Sequence, residues 1–181
     1  HLDPVKKTIL IIGGSQGARS INQGILSGLD RLTEAGVQVI WQTGIAFEST
    51  AKHAASSHPS TYVSAFIYEM DLAYAMADLV VSRAGALSVS EICLAGKPSI
   101  LVPFPNAAED HQTENAKSLV QENAAILVQD VLAKENLVPT ALKTLADKTL
   151  LSTLAENSFG MGKPKAAQEI AETILKNSTC A

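Results

Sequence analysis

Aromatic side chains are scarce in this chain, 4% of residues against 46% for all hydrophobic types. A core with so few rings has to be filled by Ala, Val, Ile and Leu, which suits helices packed on a sheet. Cysteine is scarce too. Cys93, inside a helical pattern, and Cys180, in the polar tail, fit neither a disulfide framework nor metal-ligand spacing, so both read as free thiols. The basic residues are scattered and the formal net charge is −4, leaving no Lys/Arg stripe to neutralise a phosphate backbone or an anionic bilayer. Nucleic acid and direct membrane contact are therefore disfavoured. No apolar run approaches the ~20 residues of a membrane span, and His1 to Thr8 lack the apolar stretch of a signal peptide. A cytoplasmic chain is expected.

Its 181 residues fall in the range of one domain, enough to bury about 70% of the surface of the unfolded chain. The chain opens on His1, not Met, and reaches a strand within a few residues. A piece of something longer is expected.

From Lys7 onward, short β-rich runs alternate with longer amphipathic stretches. Strands are predicted over 8–12, 37–42, 62–66, 79–82, 99–102 and 125–128. Helices are predicted over 18–34, 47–56, 70–77, 86–95 and 110–122, with further helices after that; breaks at Gly160 and Pro164 set off a last one over 165–176. Continuous apolar strands separated by helices indicate a parallel sheet covered on both faces, a doubly wound Rossmann-like α/β domain. No repeat or linker divides residues 1–181, so a single domain is expected.

In such sheets the ligand lies beyond the carboxyl ends of the strands, and the informative loops are those that follow strands. The first is Gly13-Gly14-Ser15-Gln16-Gly17, where glycines permit a tight turn and helix-start amides can face an anion; the same residues also fit a purely structural turn. A nicotinamide fingerprint would need glycine where Ser15 stands and an acidic residue closing the second strand, which instead ends Trp41-Gln42-Thr43. The phosphate loop ending Gly-Lys-Ser/Thr is absent as well.

The second loop is Ser82-Arg83-Ala84-Gly85-Ala86-Leu87-Ser88-Val89-Ser90-Glu91, a strand end running into a helix. The amides of its first turn and the positive end of the helix dipole can hold a diphosphate without metal. Glu91 follows Ala86 by five residues, about 7.5 Å along the axis, an offset that suits a carboxylate reaching a ribose. The spacing fits a solvated helix residue equally well.

The third segment runs from Pro103-Phe104-Pro105 through Glu109, Asp110, His111 and Gln112 to Asn115. Adjacent acidic and imidazole residues do not easily converge on one ion, so a helix-capping Asp110 with His111 and Gln112 facing the crevice is expected instead of a metal site. No Gly-x-Ser-x-Gly elbow and no Cys/His pair is placed for nucleophilic work, and His53 and His58 have no supporting motif. The chain shows a place to bind and no acid/base machine.

Taken in order, Gly13 to Ala18, Phe66-Ile67 with Met70, Ser82 to Leu87 with Ser90-Glu91, and Pro103-Phe104-Pro105 through Asp110-His111-Gln112 to Asn115-Ala116 resemble the MurG family. These peptidoglycan transferases add N-acetylglucosamine to undecaprenyl-pyrophosphoryl-N-acetylmuramyl-pentapeptide, turning lipid I into lipid II. The resemblance covers essentially the whole chain and implies the donor-binding, C-terminal half of a two-domain GT-B enzyme, peripheral on the cytoplasmic face of the inner membrane, with no cofactor. It implies that Ser15, beside Gly14, and the Ala86 amide, beside Leu87, contact the diphosphate of UDP-N-acetylglucosamine. The Ile67 backbone would pair with the uracil edge, and Phe66 and Met70 would line the base. Glu91 would accept from both ribose hydroxyls, while His111 and Gln112 would reach the sugar; some relatives carry a second Gln where His111 stands. Arg83 matches the family motif in either a phosphate or a structural role. The base and the lipid I surface would belong to the other half, so no catalytic residue is expected here. A UDP-sugar 2-epimerase of the same architecture is the rival reading, and would need further acid/base carboxylates in the cleft.

Overall fold

The structure is a computed structural model and describes residues 2–178 other than Asn106, Ala108 and Glu109. Glu109, weighed above as a metal ligand, and Cys180, weighed as a free thiol, therefore lie outside the described residues.

The elements alternate as the apolar runs predict. They are β1 (Thr8–Ile12), α1 (Arg19–Glu34), β2 (Gln38–Gln42), α2 (Ile45–Ala55), β3 (Thr61–Ser64), α3 (Met70–Met76), β4 (Leu79–Ser82), α4 (Ala86–Leu94), β5 (Ser99–Leu101), α5 (His111–Gln121) and β6 (Ile126–Leu127). A 3-10 turn (Asp130–Leu132) then leads into α6 (Ala133–Ala146), α7 (Lys148–Met161) and α8 (Ala166–Ser178). The strands form one sheet in the order β3-β2-β1-β4-β5-β6, and every neighbouring pair is parallel. The order reverses between β1 and β4, and this switch point puts the loops after those two strands side by side at the carboxyl edge.

Alternation along β1 explains why it is apolar at both faces from Ile9 to Ile12. Ile9 and Ile11 enter a core with Ile21, Ile25, Trp41 and Leu137, whereas Leu10 and Ile12 enter the opposite one with Tyr74, Val80, Ile92 and Leu119. Ile9, Leu10 and Ile11 are fully buried, each contributing roughly 1.5–3 kcal/mol of transfer free energy. On the first face α1 crosses α6 at close range: a Cβ on Gly28 would lie 2.6 Å from Val138 Cγ2, so only glycine lets the helices approach this far.

Most predicted boundaries shift by a residue or two, and two of the differences have a local cause. Strand β3 stops at Ser64, not Phe66, because the chain turns there: Ser64 Oγ donates to the Phe66 carbonyl at 2.8 Å. Helix α7 runs through Gly160 to Met161 and ends where the Gly162 amide returns to the Phe159 carbonyl, just before Pro164. A single helical glycine costs about 1 kcal/mol relative to Ala, less than packing returns; proline is the real stop.

Candidate functional site at the carboxyl edge of the sheet

Strand β1 ends in a loop that turns on Gly14 and Gly17, both with φ near +78° (78° and 77°). The Gly17 amide donates back to the Gly14 carbonyl at 3.0 Å. A Cβ on Gly17 would lie 2.0 Å from the Thr43 carbonyl oxygen, so the loop is pressed against the end of β2 and only glycine fits. Trp41, wholly buried, donates through Nε1 to Asn22 Oδ1 at 2.9 Å, and Asn22 Nδ2 donates to the Thr43 carbonyl at 2.8 Å. Ser15 is left exposed on this braced turn.

The second brace is Gln42, 3% exposed, whose carboxamide joins two loops. Its Nε2 donates to the Gly14 carbonyl at 3.1 Å, while its Oε1 accepts from the Ile67 amide at 3.0 Å. Ile67 is buried and Phe66 half-exposed, its ring edge-on to Tyr68 at 5.0 Å between centroids. The Ile67 amide is thus committed within the protein.

Helices α1 and α4 both begin at this edge without a side-chain cap. Their N-cap residues, Ala18 and Gly85, are extended, and neither first turn carries an acidic residue. The uncapped amides and the helix dipole present partial positive charge to the crevice. Asn115 Nδ2 donates to the Ala84 carbonyl at 3.0 Å and so fixes the turn into α4. Ala86 and Leu87 lie exposed on that turn, Leu87 at 74%.

Arg83 closes the other side of the crevice. Its guanidinium donates to the carbonyls of Val102 (3.0 Å) and Pro103 (3.2 Å), to Ser20 Oγ (3.2 Å) and to the Asp130 carboxylate, under the ring of Phe104. Ser20 Oγ in turn donates to Asp130 at 2.5 Å. Gln112 Oε1 accepts from the Phe104 amide at 3.0 Å. Together Gly13, Ala18, Arg19, Arg83, Phe104 and Gln112 line an open cavity of about 490 Å³.

A second cavity, about 580 Å³, opens between α3 and α4 and is lined by Met70, Tyr74, Glu91 and Leu94 among others. Here Tyr74 Oη donates to Glu91 Oε2 at 3.1 Å. Burial first, and then the Glu91 charge, pushes the Tyr74 phenol above its ordinary range, so it stays protonated as a donor. Glu91 is only partly exposed.

The predicted residues thus fall into groups. Gly14 and Ile67 are tied through Gln42; Arg83 and Gln112 share the first cavity; Met70 and Glu91 share the second. Ser15, Ala86, Leu87 and His111 lie exposed, and His111 is not among the side chains of the first cavity. Asp110 does occupy the N-cap position of α5, but in the left-handed region (φ 54°), and its carboxylate accepts from Thr113 Oγ1 at 2.6 Å instead of capping an amide. A capping side chain needs extended backbone to reach the helix amides. Gln42, Tyr74, Ser20 and Asp130 were missed by sequence reasoning. Among the described residues no three His, Cys, Asp or Glu side chains gather to hold a metal ion.

The profile of the glycosyltransferase family 28 C-terminal domain matches residues 8–170. The chain belongs to this family. A family 28 relative from Parabacteroides distasonis, named UDP-N-acetylglucosamine–N-acetylmuramyl-(pentapeptide) pyrophosphoryl-undecaprenol N-acetylglucosamine transferase, is 49% identical over 177 residues, covering 97% of this chain and 48% of the relative. The chain spans about half the length of the curated relatives it matches. The crystal structure of Acinetobacter baumannii MurG superposes with a TM-score of 0.84 at 33% identity, over 94% of this chain and 50% of that one. An S. aureus MnaA–UDP co-structure superposes with a TM-score of 0.76 over 97% of this chain and 47% of that one, but at 13% identity this shows the fold alone. The family 28 domain is thus the Rossmann-like unit that the alternating strands and helices predict.

Proposed function

We propose that this family 28 domain holds UDP-N-acetylglucosamine for an inverting transferase that glycosylates undecaprenyl-pyrophosphoryl-N-acetylmuramyl-pentapeptide at the cytoplasmic face of the inner membrane. The observation that carries the reading is the uncapped start of α4, with Glu91 on the following turns of the same helix. Amides there would take the diphosphate without a metal, and Glu91 would take the ribose. Phe66, Met70 and the Ile67 carbonyl would hold the base, with Ser15 and Gly14 on the diphosphate side and His111 and Gln112 toward the sugar.

In the proposed reaction the acceptor 4-hydroxyl attacks the anomeric carbon as the bond from that carbon to the β-phosphate oxygen breaks, inverting the centre. The electron pair leaves on UDP, and the growing negative charge meets preorganised amides that need no reorganisation. The hydroxyl proton goes to a base outside this domain. Asp130, the carboxylate in the first cavity, is engaged by Arg83 and Ser20. Arg83 is assigned to holding the loops together, since its donors are directed at protein oxygens.

Transfer of radiolabelled N-acetylglucosamine to lipid acceptor tests the division of labour. The chain alone is expected to show none above a heat-killed control, and a protein of the relatives' full length is expected to turn over. Turnover by the chain alone would contradict the reading, as would failure of the longer protein.

A further inference from the structure

Tyr74 has no part in the residues so far assigned to the donor, yet its placement bears on one of them. It sits on the inner side of α3, 7% exposed, in the core that also holds Ile12, Ile67, Ile92 and Cys93. Packing of that kind fixes the ring, so its hydroxyl emerges at one definite point, 3.1 Å from Glu91 Oε2. No other side chain among the described residues donates to Glu91. Without this contact a glutamate on an open helix face samples several rotamers, and each binding event has to select one. Both residues line the same open cavity, so the contact lies at a ligand-accessible surface.

We propose that Tyr74 is a positioning residue for the ribose, its hydroxyl holding the Glu91 carboxylate in the orientation that meets the 2′,3′-diol of a ribonucleoside diphosphate. The inference rests on the reading of Glu91 given above. The stereochemistry allows it. An ionised carboxylate offers about four acceptor positions; the phenol occupies one, and two hydroxyls of a cis-diol can take two more.

Calorimetric titration of UDP and 2′-deoxy-UDP against the unsubstituted chain, Tyr74→Phe and Glu91→Ala tests this. Tyr74→Phe removes one oxygen and keeps the ring packing. It is expected to weaken UDP about 3- to 10-fold and 2′-deoxy-UDP clearly less, so that the preference for the ribonucleotide shrinks while the melting temperature stays near that of the parent. Glu91→Ala is expected to erase the preference, and Tyr74→Phe on that background to change it no further. Equal weakening of both nucleotides in Tyr74→Phe marks a scaffold role and overturns the proposal, as does a preference left intact. If Glu91→Ala erases the preference and Tyr74→Phe leaves it unchanged, only the role of Tyr74 fails. If Glu91→Ala leaves the preference standing, or the parent binds neither nucleotide, the ribose reading of Glu91 fails and the inference falls with it.

Discussion

Removing the carboxylate of Asp130 should loosen the whole carboxyl edge, and the size of the effect can be worked from the ion pair it makes with Arg83. That guanidinium joins β4 to the loop after β5, to α1 through Ser20 and to the 3-10 turn through Asp130. The two side chains are 13% and 22% exposed, mostly but not wholly withdrawn from water. Breaking a fully buried pair costs about 3–5 kcal/mol, whereas an exposed one is worth roughly 0–1. Asp130→Ala is accordingly expected to destabilise by about 2–3 kcal/mol, lowering Tm by roughly 4–12 °C for a domain of this size. Arg83→Met should cost a similar amount, since it strands the carboxylate and deprives two carbonyls of their donor. Melting the two single variants and the double closes a cycle, in which the double variant should be less destabilised than the sum by about 1–2 kcal/mol. Nucleotide titration of the same proteins separates the two roles of Arg83. A structural role makes UDP affinity fall in parallel in both variants. The reasoning is refuted if Arg83→Met abolishes binding with an unchanged Tm while Asp130→Ala binds normally, for then the guanidinium holds phosphate directly.

Gln42→Ala removes both bonds that tie the glycine loop to Ile67 and strands two backbone groups. It should cost about 2–4 kcal/mol at roughly 1–2 per lost buried bond, and amide exchange should quicken at Gly17 and Ile67 together. In Gly28→Ala the new methyl meets Val138, and overpacking of about 1–3 kcal/mol outweighs the helix propensity gained; chemical denaturation should show that a second change, Val138→Ala, recovers part of the loss. Burial pushes the Cys93 thiol above its ordinary range. Iodoacetamide at mildly alkaline pH should therefore leave it unmodified in the native chain and alkylate it in denaturant, with peptide mapping to distinguish it from Cys180.

What the sequence makes legible is local. A run such as Ile9–Ile12, apolar at every position and closed by glycines, has few meanings other than a doubly covered parallel strand feeding a tight turn. The start of α4 is similarly plain, because Gly85 after a strand and before an amphipathic stretch marks a helix with open amides. The braces are another matter. Gln42 reaches 28 residues back and 25 forward, Arg83 meets Asp130 across 47, and Tyr74 meets Glu91 across 17. No periodicity records such pairs, since they depend on which helices the sheet brings together. A faint signal did exist at Gln42, a polar residue closing an otherwise apolar strand, which burial obliges to find partners. The left-handed backbone at Asp110 had no comparable warning, because Asp before a helix reads as a cap whatever its φ.

The central claim is that open helix amides and Glu91, not a metal, hold a uridine diphosphate sugar on this domain. Titration of the chain with UDP-N-acetylglucosamine, UDP and NADH, each with chelator and again with added magnesium or manganese, tests it most directly. Saturable binding of both uridine nucleotides in chelator, unchanged by metal and absent for NADH, is the predicted result. Binding that disappears in chelator and returns with the metal, or a preference for NADH, would contradict the account.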